Sequence, residues 1–369
     1  MQLCFAVTND LSTDQRMQRI CSRLSKAGYQ VKLVGRRLPE SWPLESGNYR
    51  QKRLKCWFRK GFLFYAEFNC RLFFYLLRTK ADVLCAVDLD TVAAVGLAAF
   101  FRKKKWTFDA HEYFIETPEV TGRPRVKWFW AWLGRRFVPK CSLAYTVGAG
   151  LASIFSEEYK IEFHTIRNLP MNDMAVIPSP QSGEGRGEVL DEPIILYQGA
   201  LNRSRGLEEL ILAMHQINAV CWLAGTGDLD KELIALVKQE KLDDKVKFLG
   251  RQSPVELREI TAKATIGYNV LRNEGLSYYH SLSNKFFDYI RAGVPSLSPP
   301  FPEYEKLLAE YHVGLTCECE PEKIKIALNN MLQNPALMEQ MKQNCKAAAQ
   351  ELNWENESKK LIALYANLR

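Results

Sequence analysis

At 369 residues, 47% of them hydrophobic and 25% charged, the chain is long enough to bury a large core and to split that core between two domains. Its ten cysteines contain no CxxC pair, and Cys317-Glu-Cys319 lacks the partners of a zinc site, which excludes a disulfide framework and points to free thiols in a reduced cytoplasm. The net charge of +8 conceals an asymmetry: residues 1–140 hold 26 Lys and Arg against 12 Asp and Glu, a surplus of +14, so the front half attracts phosphate-rich partners.

The first segment, MQLCFAVTND, reads as a strand with no basic n-region and no peptidase site, so secretion is not expected. Ser12 to Gln15 reads as a capping box for the helix MQRICSRLSKAG, which Gly28 stops. Short apolar runs then alternate with helix-length stretches: VKLVG, ADVLCAV, KWTFDA and SLAYTV in front, IILYQG, AVCWLAG, VKFLG, ATIGYNV, VPSLS and VGLTC behind. That alternation predicts an α/β chain of doubly wound parallel sheets, Rossmann-like and joined by right-handed crossovers. It breaks only at PMNDMAVIPSPQSGEGRGEVLDEP. The expected division is therefore a domain over 1–170, a linker over 171–192 and a second domain over 193–350, with a helix in 351–369 packing back on the first.

Two front segments stand apart. Residues 50–80 read as one basic, aromatic helix with Lys60, Glu67, Arg71 and Arg78 on a narrow stripe, and RPRVKWFWAWLGRRFVPK (123–140) repeats the composition with three tryptophans. Neither is a transmembrane span, because Glu67, Asn69 and Arg71 interrupt the first in its middle. Singly, each reads as a core helix with snorkelling arginines. Together, on a domain of such charge, they shift the expectation toward an anionic membrane surface, and the apolar faces and lack of an RRM, KH or helix-turn-helix pattern argue against nucleic acid.

Ligands of open parallel sheets sit beyond the carboxyl ends of the strands. In the front half those positions are Asn9 and Asp10, Asp88 and Asp90, and His111 and Glu112; behind they are Gly199, Gly225 and Gly227, and Arg251. Two such edges facing across a cleft would line it with polar groups on one side and glycines on the other. The loop Gly199-Ala-Leu-Asn-Arg-Ser-Arg205-Gly206 opens a helix with Arg203 and Arg205 nearby, which suits an anion, although a capped helix with solvated arginines explains it equally well. Gly225-Thr-Gly227 alone is more simply a tight turn. In SLSNKFFDYIRAGVP, Ser283 or Asn284 caps a helix whose first turn carries Lys285, with Asp288 one turn deeper; the plainer alternative is a surface Lys–Asp pair.

Taken in order, TFDAHEYF, YQGALNRSRGLEELILAM, LAGTGDL, VKFLGRQSPVELREITAKATIGYNVL and SNKFFDYIRAGVPSLSP resemble the retaining nucleotide-sugar glycosyltransferases of family 4, of GT-B fold, in a branch whose donor-site helix reads NKxFEY. The resemblance covers nearly the whole chain. It implies that Arg205 holds the donor diphosphate, helped by Ser283, Asn284 and Lys285 at the helix start. Asp288 would meet the donor ribose and His111 the transferred sugar, with Gly199, Arg203, Gly225, Gly227 and Arg251 around the nucleotide and Asn9, Asp10, Asp88 and Glu112 on the acceptor side. It implies a UDP- or GDP-linked sugar as donor, no cofactor and no metal, and a saccharide or lipid-linked acceptor for a cytoplasmic enzyme peripheral to the inner face of the plasma membrane. The chain departs from the family where Asp288 replaces a Glu, His280 replaces the first acid of the pair and Ala200 replaces a basic residue. A nucleotide-sugar epimerase and an inactive scaffold of the same fold are the alternatives.

Overall fold

The computed structural model describes residues 1–12, 14–39, 41–44, 47–172 and 192–368. The expected linker, 171–192, lies outside them except at its ends. Two compact units emerge, each an α/β domain. The first is Met1–Asn168 with Gly275–Ser277 and Glu357–Arg369; the second is Leu169–Glu274 with Tyr278–Asn356.

The first domain carries seven parallel strands: β1 (Gln2–Asp10), β2 (Gln30–Arg37), β3 (Arg50–Lys55), β4 (Val83–Val87), β5 (Lys105–Ala110), β6 (Leu143–Thr146) and β7 (Phe163–Thr165). Their order is β3-β2-β1-β4-β5-β6-β7, so the chain reverses direction of growth between β1 and β4. β1 and β4 read as unbroken apolar runs because helices cover both sheet faces. The helix α1 (Gln15–Lys26) is capped by Asp14, whose carboxylate accepts from the Met17 amide, and not by the expected Ser12–Gln15 box.

The expectation of one helix over 50–80 is corrected. Residues 50–55 form the edge strand β3, paired along its length with β2, and only Gly61–Arg78 (α2) is helical. A period-two stretch of Arg, Lys and Gln suits a charged sheet edge, which discourages pairing with a second sheet. Glu67 holds the intervening loop to α2 by accepting from the Trp57 and Phe58 amides (2.9 and 3.0 Å) and from Arg71 Nε (2.8 Å). α2 buries Phe64, Phe68, Leu72 and Leu76, one stripe at i, i+4 spacing, against α3 (Leu89–Arg102). Asn69, polar in the middle of this interface, donates to the Asp90 carbonyl at 2.7 Å.

Near the C-terminus the helix Trp354–Ala366 brings Tyr365 into the first domain. Its buried hydroxyl lies 3.1 Å from Thr107 Oγ1 and 3.2 Å from the Tyr145 hydroxyl.

The second domain has six parallel strands: β8 (Ile194–Gln198), β9 (Val220–Ala224), β10 (Val246–Gly250), β11 (Ile266–Tyr268), β12 (Ser296–Ser298) and β13 (Gly314–Thr316). Their order is β10-β9-β8-β11-β12-β13, again with a reversal, here between β8 and β11. A Cβ at Gly267 would strike the Tyr289 ring, whose hydroxyl donates to the Leu196 carbonyl at 2.8 Å; this seats the helix Asn284–Ala292 on the sheet. Gly293, at φ +71°, ends that helix as the sequence suggests.

Phe68, fully buried, and Phe62, 71% exposed, lie on one helix in different surroundings. Phe68→Ala is expected to destabilise the first domain by about 3–5 kcal/mol and Phe62→Ala by less than about 0.5 kcal/mol, read from denaturant midpoints.

Candidate functional site

Each domain gathers its polar groups at the carboxyl ends of the strands beside its point of reversal. In the second domain this is the end of β8. Gly199, at φ +131°, donates its amide to the Ala224 carbonyl at 2.9 Å, and a Cβ at Gly225 would collide with the Gly199 carbonyl. A Cβ at Gly227 would likewise meet the Leu201 carbonyl, and the Gly227 amide donates to Asp230 (2.7 Å). Glycine is thus required at 225 and 227 by the neighbouring backbone.

Lys285 lies in the first turn of the helix Asn284–Ala292, only 8% exposed. Its Nζ sits 3.9 Å from the centroid of the Tyr197 ring and beside Gly199. Burial pushes its pKa well below the usual lysine value, and the Arg205 guanidinium pushes it further. Arg205 stands 5.1 Å from the Tyr278 ring, and its buried Nε has no hydrogen-bond partner. Among the described residues no carboxylate pairs with either cation, and such a corner favours a bound anion.

The surrounding loop is firmly built. Ser204, at φ +65°, hydrogen-bonds Glu274, and the Tyr268 hydroxyl donates to the Gly206 carbonyl at 2.7 Å. Ser283 occupies the N-cap position but donates its hydroxyl to Asn269 (2.6 Å), so its own side chain does not cap the helix. Arg203 and Arg251 are exposed on neighbouring loops.

Asp288 does not pair with Lys285, which corrects the plainer reading of that helix. It accepts from Gln198 Nε2 at 3.3 Å and lies 3.9 Å from Arg291. His280 has a buried Nδ1 without a partner, and burial pulls its pKa down.

The first domain builds a cavity of about 560 Å³ at the ends of β1, β2, β4 and β5. Asn9, Asp88, Asp90, His111 and Glu112 line it. Asp10 does not: it is tied to Arg53 at 2.6 Å and to Ser12 and Ser41. Asp88 adopts a left-handed φ of +56°, uncommon for a residue with a side chain, and accepts from the His111 amide at 2.8 Å. The His111 ring spans two carboxylates, with Nδ1 3.6 Å from Asp88 and Nε2 3.2 Å from Asp109. Asp109 is held in turn by Arg16 (2.9 Å), which also donates to the Ile166 carbonyl.

Burial pulls the His111 pKa down, but Asp109 and Asp88 outweigh it and raise the value to about 9. At neutral pH the ring is an imidazolium with both N–H groups directed at carboxylates, suited to electrostatic stabilisation and not to proton abstraction. Asp90, 6% exposed, accepts from Thr8; burial and the Asp88 charge raise its pKa to about 8, and its Oδ1 has no partner.

Sequence reasoning missed Tyr197, Tyr278, Gln198, Arg16 and Asp109, whose parts depend on contacts across the sheet, and the cavity cations Arg36, Arg59 and Lys60. Only the basic pair before α2 carried a local signal.

Residues 14–170 match the family described as Glycosyltransferase Family 4, and residues 181–348 the family described as Glycosyl transferases group 1. No curated protein sequence matches the chain. Among solved structures, HepE of Anabaena in complex with UDP is similar over all of both chains, at 13% identity and a TM-score of 0.74. Sucrose-phosphate synthase of Thermosynechococcus elongatus matches at 17% identity and a TM-score of 0.77, covering 100% of this chain and 99% of its own. WaaG, a glycosyltransferase involved in lipopolysaccharide biosynthesis, matches at 15% and 0.72 over 98% of both. The fold is GT-B, and the chain carries the two domains of a GT-B glycosyltransferase.

A histidine pKa raised above its ordinary 6.5 stabilises the folded chain below that pH, and the contribution is lost as pH rises through about 9. With five histidines in the chain, His111 is resolvable by NMR. Its imidazole is expected to titrate near 9, and Asp88→Asn is expected to move the midpoint down toward the ordinary value.

Proposed function

We propose that the protein is a retaining glycosyltransferase that moves a sugar from a nucleoside diphosphate sugar to a saccharide or lipid-linked acceptor, in the synthesis of a surface polysaccharide or glycolipid. The observation that carries this reading is the corner of buried Lys285 and half-buried Arg205 at the end of β8, two cations that meet no carboxylate among the described residues. A diphosphate is the leaving group that such a corner suits. Its developing charge would be met by the guanidinium, the ammonium and the positive end of the helix that begins at Asn284, without a metal ion being required. Asp288, oriented by Gln198, would receive the ribose hydroxyls. HepE was solved with UDP and with UDP-glucose, which favours a uridine nucleotide.

In the step itself, the acceptor hydroxyl oxygen forms a bond to the anomeric carbon from the side of the departing diphosphate. The bond from that carbon to the diphosphate oxygen breaks with its electron pair, and the hydroxyl proton passes to the leaving diphosphate. No protein base is needed, which accords with a charged His111.

We further propose that the first domain rests on an anionic membrane. No helix among the described residues is long and apolar enough to cross one. The helix Pro124–Phe137 buries Trp130 and Leu133 yet leaves Trp128 67% and Trp132 48% exposed. Phe62 of α2 meets Phe129 at 6.3 Å, Phe129 meets Trp132 at 6.4 Å, and Phe73 meets Phe101 at 6.0 Å. Aromatic side chains on this scale, on a domain with a surplus of Lys and Arg, suit a lipid interface, where each basic residue contributes about 1 kcal/mol.

UDP or GDP is expected to raise the melting temperature without added metal, and Arg205→Ala to abolish the shift and lower turnover by about 100-fold or more. Absence of any nucleotide response would leave a scaffold that kept the fold. In flotation with phosphatidylglycerol vesicles the protein should rise with the lipid and be released by salt. Retention in the lipid-free fraction at low salt overturns the membrane assignment.

A further inference from the structure

The first-domain cavity has a second side that glycosyl transfer alone does not explain. Arg36, at the end of β2, and Arg59 and Lys60, before α2, line it together with Phe64 and Tyr65. Arg36 is held in place by the Phe64 ring, 4.7 Å from its guanidinium carbon, and by the Arg59 carbonyl at 3.3 Å. Its buried Nε has no partner. Among the described residues, none of the three cations meets a carboxylate. Lys60 also occupies the N-cap position of the 18-residue α2 and makes no capping bond, so the positive end of that helix opens at Gly61, another lining residue.

In sheet order the cations lie on the β2 side of β1, while Asp88, Asp90, His111 and Glu112 lie on the β4 and β5 side. One wall therefore suits an anion and the other suits hydroxyl groups, with Asp90 Oδ1 buried and unpartnered there. A neutral saccharide would leave the cations unmatched.

We infer that this cavity seats a phosphorylated saccharide as acceptor, its phosphate on Arg36, Arg59 and Lys60 and its sugar hydroxyls toward Asp88, Asp90 and Glu112. The inference rests on the glycosyl-transfer reading and names the acceptor's chemistry within it. Trp57 and Phe58, 80% and 45% exposed, directly precede Arg59, so apolar side chains stand beside the cationic mouth where a lipid would leave it. The phosphate can belong to such a lipid-linked saccharide or to a free sugar phosphate.

The test uses the full chain saturated with UDP, which occupies the second-domain cations, with the His111 imidazole resonance as the reporter inside the cavity. Glucose 6-phosphate is expected to shift that resonance saturably, and glucose at the same concentration to leave it in place. Arg36→Gln should weaken the phosphate probe by about tenfold or more, the loss of one charged hydrogen-bond donor. Lys60→Gln, on an exposed side chain whose loss does not threaten folding, should weaken it in the same direction. In both variants the UDP-induced melting shift should persist, so failure of donor binding is read separately from failure of this inference. Phosphatidylglycerol vesicles that displace glucose 6-phosphate identify a lipid phosphate as the source, and vesicles that leave it bound identify a free sugar phosphate; both support the subsite. Equal responses to glucose and glucose 6-phosphate, or an undiminished response in both variants, overturn it.

Discussion

An ammonium group buried beside a guanidinium, with no carboxylate among the described residues to neutralise either, is the constraint on which the second domain turns. A buried lone cation costs several kcal/mol unless something offsets it, and here the offset within the protein is the face of Tyr197. That ring is itself fixed, its hydroxyl donating to the Ala200 carbonyl at 2.7 Å. The loop passes beside Lys285 with a φ of +131° at position 199, a conformation that favours glycine, and the adjacent loop approaches the Gly199 carbonyl so closely that position 225 must be glycine too. The local backbone is arranged around a charge that the free protein satisfies only in part, a common property of sites that bind their counterion from solution.

The first domain answers a similar electrostatic problem with carboxylates. Asp109 is buried among apolar strands yet remains ionised, because Arg16 and His111 hold its pKa down against burial. Asp88 completes the clamp on His111 from a strained backbone, and its amide donates to the Asp109 carbonyl at 2.9 Å, so the ends of β4 and β5 are locked to one another. The strain is stored where the structure most needs a fixed imidazolium. Two polar centres result, one built around Lys285 and Arg205 and one around a histidine held by carboxylates.

Much of this architecture is legible in the chain. The apolar runs that read as strands in 3–7, 31–35, 83–87 and 105–110 are strands, and so are those of the second domain, because strands buried on both faces leave an unmistakable apolar stretch. The strand that escaped notice is β3, at one edge of the first sheet. It is built of Arg, Gln and Lys with a single Leu, so it carries no apolar signal. Asp14 took the cap expected of Ser12 because three candidate caps stand in a row and only geometry chooses between them. At the candidate site, residue types at strand ends were readable, but their partners were not. Asp288 sits three residues from Lys285 and bonds Gln198, 90 positions away, since the lysine turns inward over Tyr197.

The charge asymmetry acquires a meaning once the ion pairs are placed. Among the described residues of 1–140, the basic side chains that meet a carboxylate are a minority, Arg16, Arg53, Arg71, Lys104, Lys127 and Arg135 among them. Arg16 and Arg53 are structural and largely buried. Most of the surplus therefore remains as uncompensated surface charge, whose field extends about a Debye length into solution. It is distributed over a domain whose exposed helix faces carry Phe, Trp and Leu, whereas charge serving solubility alone has no need of such neighbours. Charge of one sign concentrates an anionic surface or ligand, and aromatic side chains then hold it by partition. The same logic operates within the cavity, where the Phe64 face keeps the Arg36 guanidinium extended and leaves its Nε unpartnered. One physical basis, positive charge set against aromatic faces, therefore underlies both proposals about this domain, once on its surface and once inside its cavity.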